Sequence, residues 1–411
     1  MKILIVNESD SKGGAARAAY RLHKSLLTQN IDSQMLVQNK ESNDYTVDGP
    51  VTKIQRAVNQ MRPTLDELPV SVYKHRTKTI FSPSWLPFSN IVNKINEIDP
   101  DIVHLHWVCG GMIKIEDIVR IKAPIVWSLH DNWVFTGGCH IMWDCEKYQD
   151  ACGACPRLGS TKENDLSRRI FNRKQKIFSQ IENITIVGVS QWLSDCSKNS
   201  TLLKDKKHIN LPNPIDTTIF KPFDKEKSRE LWNLPKDKKL VLFGAMTIGD
   251  INKGFNKLSD ALHKIKDEEI ELVIFGSSEP KESQNLGFKT HYLEYLHDAV
   301  SLVTLYSAVD VMIVPSLQEA FGQTASEAMA CCTPVIAFGA TGLLDIVDHK
   351  INGYLAQAFD STDLMHGIEW VLNSENYEEL CLNARKKVLR EFDSKMVSQR
   401  YIDLYKDILD E

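Results

Sequence analysis

The run Val311-Met312-Ile313-Val314-Pro315-Ser316, followed by Glu319-Ala320-Phe321-Gly322-Gln323-Thr324-Ala325-Ser326-Glu327, decides how the rest of the chain is read. Its first four residues form an apolar run of strand length, ended by a Pro-Ser break. Two glutamates follow, eight positions apart. Glu319 lies in the loop leaving the strand, and Glu327 about one helical turn into the next segment. Between them Gly322 lets the backbone come close to a ligand, and amides at a helix start hold anions. A further strand, 334–338, ends in Gly339-Ala340-Thr341-Gly342, whose amides could also hold a phosphate. These features belong at the C-terminal edge of a sheet, where open α/β folds bind ligands. A surface helix with two solvated glutamates is the plain alternative.

The Glu-x7-Glu pair with its interior Phe-Gly resembles the donor-site signature of the retaining glycosyltransferases of family four. The resemblance covers nearly the whole chain. It implies the α/β GT-B fold: two doubly wound, Rossmann-like domains facing each other across a cleft. The implied reaction moves a hexose from a nucleotide-diphosphate sugar to an oligosaccharide acceptor, lipid-linked, in cell-surface polysaccharide biosynthesis, with retention. Glu327 would then hold the ribose hydroxyls. Glu319 would contact the sugar or stabilise positive charge at the anomeric carbon. Phe321, Gly322 and Gln323 would offer backbone contacts. That chemistry requires no cofactor or metal, because cations and helix amides stabilise a leaving diphosphate.

At 411 residues the chain is long enough for two domains. Prolines at 212, 214 and 222 stiffen a crossing, which resembles the hinge of that family with Pro214 in place of its glycine. The expected division is 1–212, 213–393 and a C-terminal helix, 394–411, that returns to the first domain as in GT-B enzymes. A hydrophobic content of 43% fits a globular core, and a net charge of -5 argues against general nucleic-acid binding. No apolar run approaches a membrane span. Met1–Asn7 reads as a buried strand rather than a leader. The expectation is a cytoplasmic protein, at most at the inner face of the membrane, with its nine cysteines reduced.

After the first strand, Gly13-Gly14 opens a helix reaching about Leu27. A tight turn explains the pair; the resemblance places such a turn under the donor phosphates and beside the acceptor, with Arg17 a weaker candidate. From 51 to 84 the pattern is poor and basic residues outnumber acidic ones. A solvated loop is the first reading, and contact with an anionic membrane or acceptor the second. His104 and His106 alternate along the strand 101–107, so they share one face. They are read equally as packing or acceptor residues. The strand 124–129 ends in His130-Asp131. His130 resembles the family's histidine that approaches the donor sugar; a structural histidine is the alternative.

Four of the nine cysteines, Cys139, Cys145, Cys152 and Cys155, fall within 17 residues. The last pair has zinc-knuckle spacing, and four thiolates would close a structural tetrahedral site. Two disulfides or buried free thiols are the other readings. A similar cysteine-rich turn marks the exopolysaccharide, colanic-acid-type subset of the family. Along 166–181, Arg168, Arg169, Arg173, Lys174 and Lys176 alternate with Ile170, Phe171, Ile177 and Phe178. This is a basic amphipathic helix whose charged face is solvated first and lipid-facing second.

In the second half, the strand 240–244 leads to Lys253-Gly254. The family holds its donor diphosphate with an arginine and a lysine here. Lys253 matches; the arginine is missing and the loop is longer. Two rivals remain: a nucleotide-sugar 2-epimerase of the same fold, and a binding module that has lost catalysis, for which the missing arginine speaks.

Overall fold

The computed structural model describes residues 1–244, 249–276, 286–296 and 298–411. The chain divides into two units, Met1–Asn213 with Val397–Glu411, and Pro214–Met396.

Unit 1 is built on seven parallel strands: β1 (Lys2–Ser9), β2 (Asp32–Asn39), β3 (Val47–Asp48), β4 (Ile102–Leu105), β5 (Ile125–Leu129), β6 (Ile184–Gly188) and β7 (Lys207–Asn210). Their order is β3-β2-β1-β4-β5-β6-β7. The central strands are apolar without alternation because helices cover both faces of a parallel sheet. The helices are α1 (Gly13–Thr28), α2 (Lys53–Asp66), α3 (Ile91–Ile98), α4 (Leu166–Phe178) and α5 (Gln191–Asn199). Strand order reverses between β1 and β4, so the crevice beyond their C-terminal ends is where a ligand fits.

Unit 2 has six parallel strands: β8 (Lys239–Gly244), β9 (Ile270–Phe275), β10 (Thr290–Leu293), β11 (Val311–Val314), β12 (Val335–Phe338) and β13 (Gly353–Ala356). They run β10-β9-β8-β11-β12-β13, with the switch between β8 and β11. Around them lie α6 (Lys225–Leu231), α7 (Phe255–Leu262), α8 (Ala299–Ala308), α9 (Gln323–Ala330), α10 (Ser361–Leu372) and α11 (Tyr377–Glu391). The last helix, α12 (Ser394–Asp410), belongs to unit 1 for nearly its whole length.

α12 completes the core of unit 1. Val397, Tyr401, Leu404 and Tyr405 are buried with Ile5 of β1, Ile102 of β4 and Val126 of β5. Each large apolar side chain so buried stabilises by about 1.5–3 kcal/mol. The two tyrosines also carry hydroxyls into the core, and each finds a partner. Tyr405 bonds to His104 Nδ1 at 2.7 Å and Tyr401 to Ser128 Oγ at 3.0 Å. His104 Nε2 meets the same serine at 2.8 Å. His104 is therefore a packing residue.

The segment 51–84 is not the loop its pattern suggested. It begins with α2, capped at Thr52, whose side chain accepts from the Gln55 amide while Gln55 reaches back. This helix is inverted. Its inward residues are polar: Asn59 donates to Gln38 O, Arg62 to Gly111 O, and Asp66 accepts from the Ser84 and Trp85 amides. Its apolar residues Ile54, Val58, Met61 and Leu65, at helical spacing, are exposed.

The basic helix at 166–181 also differs from expectation. Its apolar residues pack inward as anticipated, but so do most of its charges. Arg173 pairs with Glu116 at 2.6 Å and donates to the Pro83 and Ser84 carbonyls. Lys174 is fully buried, and Arg168 reaches Glu163. The cations hold neighbouring loops, and only Arg169 and Lys176 of the five are left exposed.

Replacing Tyr405 with Phe should leave His104 Nδ1 buried without its partner and cost about 1–3 kcal/mol. Urea denaturation should show the lower midpoint; an unchanged midpoint would mean that the hydroxyl contributes nothing.

Candidate active site

The site in unit 2 forms where three loops meet at the switch between β8 and β11. The loop after β8 arrives through a short 3-10 turn, Ile251–Lys253, and Gly254. Asn252 binds this turn to the loop after β11. Its Nδ2 donates to Gln318 O at 2.9 Å, and its own carbonyl accepts from the Leu317 amide at 2.8 Å. Gly254 has φ +68°, and a Cβ there would lie 1.9 Å from Pro315 O. Only glycine allows this approach.

That contact delivers Lys253 to Glu319. Nζ donates to Oε1 at 2.6 Å, and Ser316 Oγ donates to the same oxygen at 2.9 Å. Glu319 raises the lysine's pKa above its ordinary value, so the ammonium is firmly charged. Both side chains remain partly open, with 35% of Lys253 and 19% of Glu319 exposed. The third loop, after β12, fixes the backbone of Glu319. Its amide donates to Thr341 Oγ1 and its carbonyl accepts from Gly342 N. The turn 339–342 thus serves Glu319 rather than a phosphate. The amides of Gly339, Ala340 and Gly342 already donate to carbonyls.

Gly322, at φ +105°, turns the chain into α9. Gln323 is half-buried, whereas Phe321 is buried edge-on against Phe392, 5.3 Å between centroids. Glu327 is buried, and its Oε2 accepts from the Tyr306 hydroxyl at 3.1 Å. Lys253 and Glu319 are therefore brought together, while Glu327 stands apart on the helix. The arginine-less stretch 245–248 lies outside the described residues.

In unit 1, His130 sits half-buried at the end of β5. Its Nε2 is 2.8 Å from His106 Nδ1, and the two rings stack at 5.1 Å. His106 in turn lies 4.3 Å from His104, as their shared strand face requires. Burial holds all three imidazoles neutral. The pKa of His130 falls to about 4, that of His104 to about 3, and that of His106 well below its ordinary value. His106 Nε2 has no hydrogen-bond partner among the described residues. Beside them Asp131 accepts from Trp107 Nε1 at 2.8 Å and the Trp133 amide at 2.8 Å, and meets His140 Nδ1 at 2.6 Å. The same sheet edge carries the exposed pair Gly13 and Gly14 at the start of α1, with φ +89° at Gly13. Arg17 lies one turn further along.

Ser316, Thr341, Asn252, Tyr306 and His140 hold these side chains in place and were not singled out in the sequence. The first two are small polar residues in loops and give no periodic signal. His140 lay hidden inside the cysteine-rich stretch.

The four cysteines line one small cavity of ≈ 10 Å³. They are free thiols spread over its wall, and the zinc arrangement expected from their spacing is not formed. Among the described residues no group of three or more His, Cys, Asp or Glu side chains is gathered to hold an ion. Burial raises the pKa of Cys139, Cys152 and Cys155, and neutral thiols have no cause to converge.

Residues 224–388 match the family Glycosyl transferases group 1. An uncharacterized glycosyltransferase of Methanocaldococcus jannaschii is 29% identical over 349 residues, covering 78% of this chain and 87% of that one. A putative colanic acid biosynthesis glycosyl transferase of Escherichia coli K12 is 24% identical over 359 residues, covering 82% and 83%. Among solved structures, the Anabaena protein HepE in complex with UDP-glucose superposes with a TM-score of 0.67. The identity is 16% over 99% of this chain and 100% of that one. The family match falls within unit 2, and the two parallel-sheet, Rossmann-like units have the GT-B architecture.

The neutral histidines lead to a pH expectation. A base whose folded pKa is depressed gives stability that is complete above the unfolded value, 6.5, and is lost as pH falls towards the folded one. Ring nitrogen resonances of His104 and His130 should stay those of neutral imidazole down to about pH 5. Protonation of either near pH 6.5 would contradict the burial argument.

Proposed function

We propose that this chain is a retaining glycosyltransferase that transfers a hexose from a nucleotide-diphosphate sugar to a saccharide acceptor in cell-surface polysaccharide biosynthesis. One observation carries the reading. At the switch point of the second sheet, a charged lysine and a carboxylate stand 2.6 Å apart, both partly open. A diphosphate needs the first, and a sugar ring with its developing positive charge needs the second. The group 1 match over the same residues supports this assignment. The UDP-glucose bound to HepE makes that molecule the first donor to test.

In this reading the diphosphate oxygens compete with Glu319 for Lys253 Nζ and gain the cation as the leaving group departs. Glu319, still held by Ser316 and Thr341, is left facing the sugar. Glu327, buried on α9 with its Oε2 held by the Tyr306 hydroxyl, takes the ribose hydroxyls once the donor displaces its cover. The backbone at Phe321, Gly322 and Gln323 lies against the donor, and no cofactor takes part. His130, neutral and backed by His106, offers an uncharged donor or acceptor to the sugar. The turn at Gly13 and Gly14 faces phosphate or acceptor.

Titration and transfer assays with nucleotide sugars test this. Glu327→Ala should weaken donor binding roughly ten- to a hundredfold, the worth of about 1.5–3 kcal/mol for a hydrogen bond to a charged group. Glu319→Gln should lower kcat more than donor affinity. Lys253→Ala should weaken the diphosphate more than the bare nucleoside, and His130→Ala should cut turnover with binding nearly intact. If Glu319→Gln and Lys253→Ala both transfer like the parent, the ion pair is structural and the reading falls. Sugar conversion without acceptor would favour the epimerase instead.

The inverted α2 favours a lipid-linked acceptor, reached at an anionic membrane surface. Its exposed apolar stripe continues into Leu68 and Val72, and exposed Lys53, Arg56, Lys74, Arg76 and Lys78 accompany it. Apolar residues with basic neighbours suit the boundary of an anionic bilayer. Flotation with phosphatidylglycerol vesicles should weaken with salt and be lost in Ile54→Ser/Met61→Ser. Arg169→Gln/Lys176→Gln, on α4, should float like the parent. The opposite ranking would return the surface to α4.

A further inference from the structure

His106 is more than a wall behind His130, because one of its nitrogens is left over. Its backbone is fixed on both sides. The amide donates to Val6 O at 2.9 Å, and the carbonyl accepts from Trp127 Nε1 at 3.0 Å. The residue is 4% exposed, with its ring packed against those of His104 and His130. Nδ1 meets His130 Nε2 at 2.8 Å, whereas Nε2 is buried without a partner among the described residues. The polar groups nearby are committed elsewhere. His104 gives both its nitrogens to Tyr405 and Ser128, and the Tyr401 hydroxyl meets the same serine. Asp131 accepts from Trp107 and the Trp133 amide and is held by His140.

This orphan nitrogen decides where the hydrogens lie. Burial keeps both imidazoles neutral, so each carries one N–H and their shared bond has one donor. Suppose His130 Nε2 donated. His106 Nδ1 would accept, and the hydrogen of His106 would sit on Nε2, buried with no acceptor. A buried N–H without an acceptor is the rarer and costlier kind of orphan. In the other direction His106 Nδ1 donates, and its Nε2 keeps only a lone pair. His130 then accepts at Nε2, and its own hydrogen lies on Nδ1. His130 is half-buried at the edge of the sheet, and the bond to His106 is its ring's only hydrogen bond among the described residues. The Nδ1–H is therefore unclaimed by the protein.

We propose that His106 is a positioning residue: by donating from Nδ1 it holds His130 in the Nδ1–H tautomer, so that His130 presents a hydrogen-bond donor to the sugar. The identity of that ligand rests on the transferase reading; the tautomer does not. A fixed, uncharged N–H suits a hydroxyl or carboxylate oxygen of the transferred sugar and has nothing to offer a protonated amine. With Nε2 engaged and Nδ1 already protonated, His130 has no free basic nitrogen. It orients the sugar and does not take a proton from the acceptor.

Long-range proton–nitrogen correlation spectra of the full chain, isotope-labelled at histidine and free of ligand, test the tautomers. His106 and His130 should each show a protonated Nδ1 and a bare Nε2. A protonated Nε2 on either ring overturns the proposal. Transfer kinetics with UDP-glucose then separate positioning from packing. His106→Leu fills the space without the donor and should lower kcat roughly two- to tenfold, with KM for the donor little changed. His106→Asn sets an amide N–H where Nδ1 stands and should recover most of that loss. Equal turnover in the parent and in His106→Leu, or equal losses in the two variants, overturns the proposal. If His106→Leu does not fold, the His130 signals of His106→Asn decide: Nδ1–H supports the assignment and Nε2–H sinks it. A parent chain that transfers nothing would remove the transferase reading, and the spectra would still decide the tautomer.

Discussion

The carbonyl of Pro315 occupies the space where residue 254 would carry a side chain, and the site in unit 2 depends on that vacancy. Two loops from adjacent strands touch backbone to backbone at this point. Asn252 seals the contact from both directions, and Lys253 reaches Glu319. A second such contact follows. A Cβ at Gly342 would lie 2.4 Å from Ala320 O, so the loop after β12 also sits directly on the Glu319 segment. Three loops that could each move independently are thereby locked into one arrangement. An active site gains most from groups fixed before the ligand arrives, because no reorganisation is then required during reaction.

Unit 1 reaches a comparable rigidity by different means. Its three histidines lie in a stack that ends at the edge of the sheet, and their charge state is set by how well they are covered. Much of the cover comes from α12, nearly three hundred residues away in sequence. Tyr401 and Tyr405 seal His104, and His104 packs on His106, which backs His130. The uncharged state of the edge histidine is thus a property of the core behind it.

Charge placement separates the two surfaces of unit 1 that composition alone could not distinguish. On α4 Arg173 and Lys174 turn inward to carbonyls and Glu116. On α2 Asn59, Arg62 and Asp66 turn inward, while the apolar Ile54, Val58, Met61 and Leu65 lie outward. Both helices are amphipathic with lysines and arginines, so either could have been the lipid-facing one. The neighbours decide. Loops near α4 offer the Pro83, Ser84 and Thr136 carbonyls to its cations. The groove under α2 offers the Gln38 and Gly111 carbonyls and the Ser84 and Trp85 amides, which only polar side chains can meet.

Long apolar runs determined the parallel sheets, and the break at Pro315-Ser316 with the glutamate pair determined where the candidate site of unit 2 would lie. Those signals are local: a buried strand must be apolar, and a strand must end before a loop can hold a ligand. The short edge strands β3, β7, β10 and β13 were not legible, since two to four residues on a sheet's edge need little apolar character. Only tertiary structure showed that Glu319 faces Lys253 while Glu327 lies buried under Tyr306, because the spacing of two residues does not tell which loop will come to meet them. Only it showed that His104 is packing and His106 a support, and that four cysteines share a cavity with Arg157. Each of these depends on segments far apart in the chain. Sequence pattern records what a residue needs from its surroundings, and folding alone decides which neighbour supplies it.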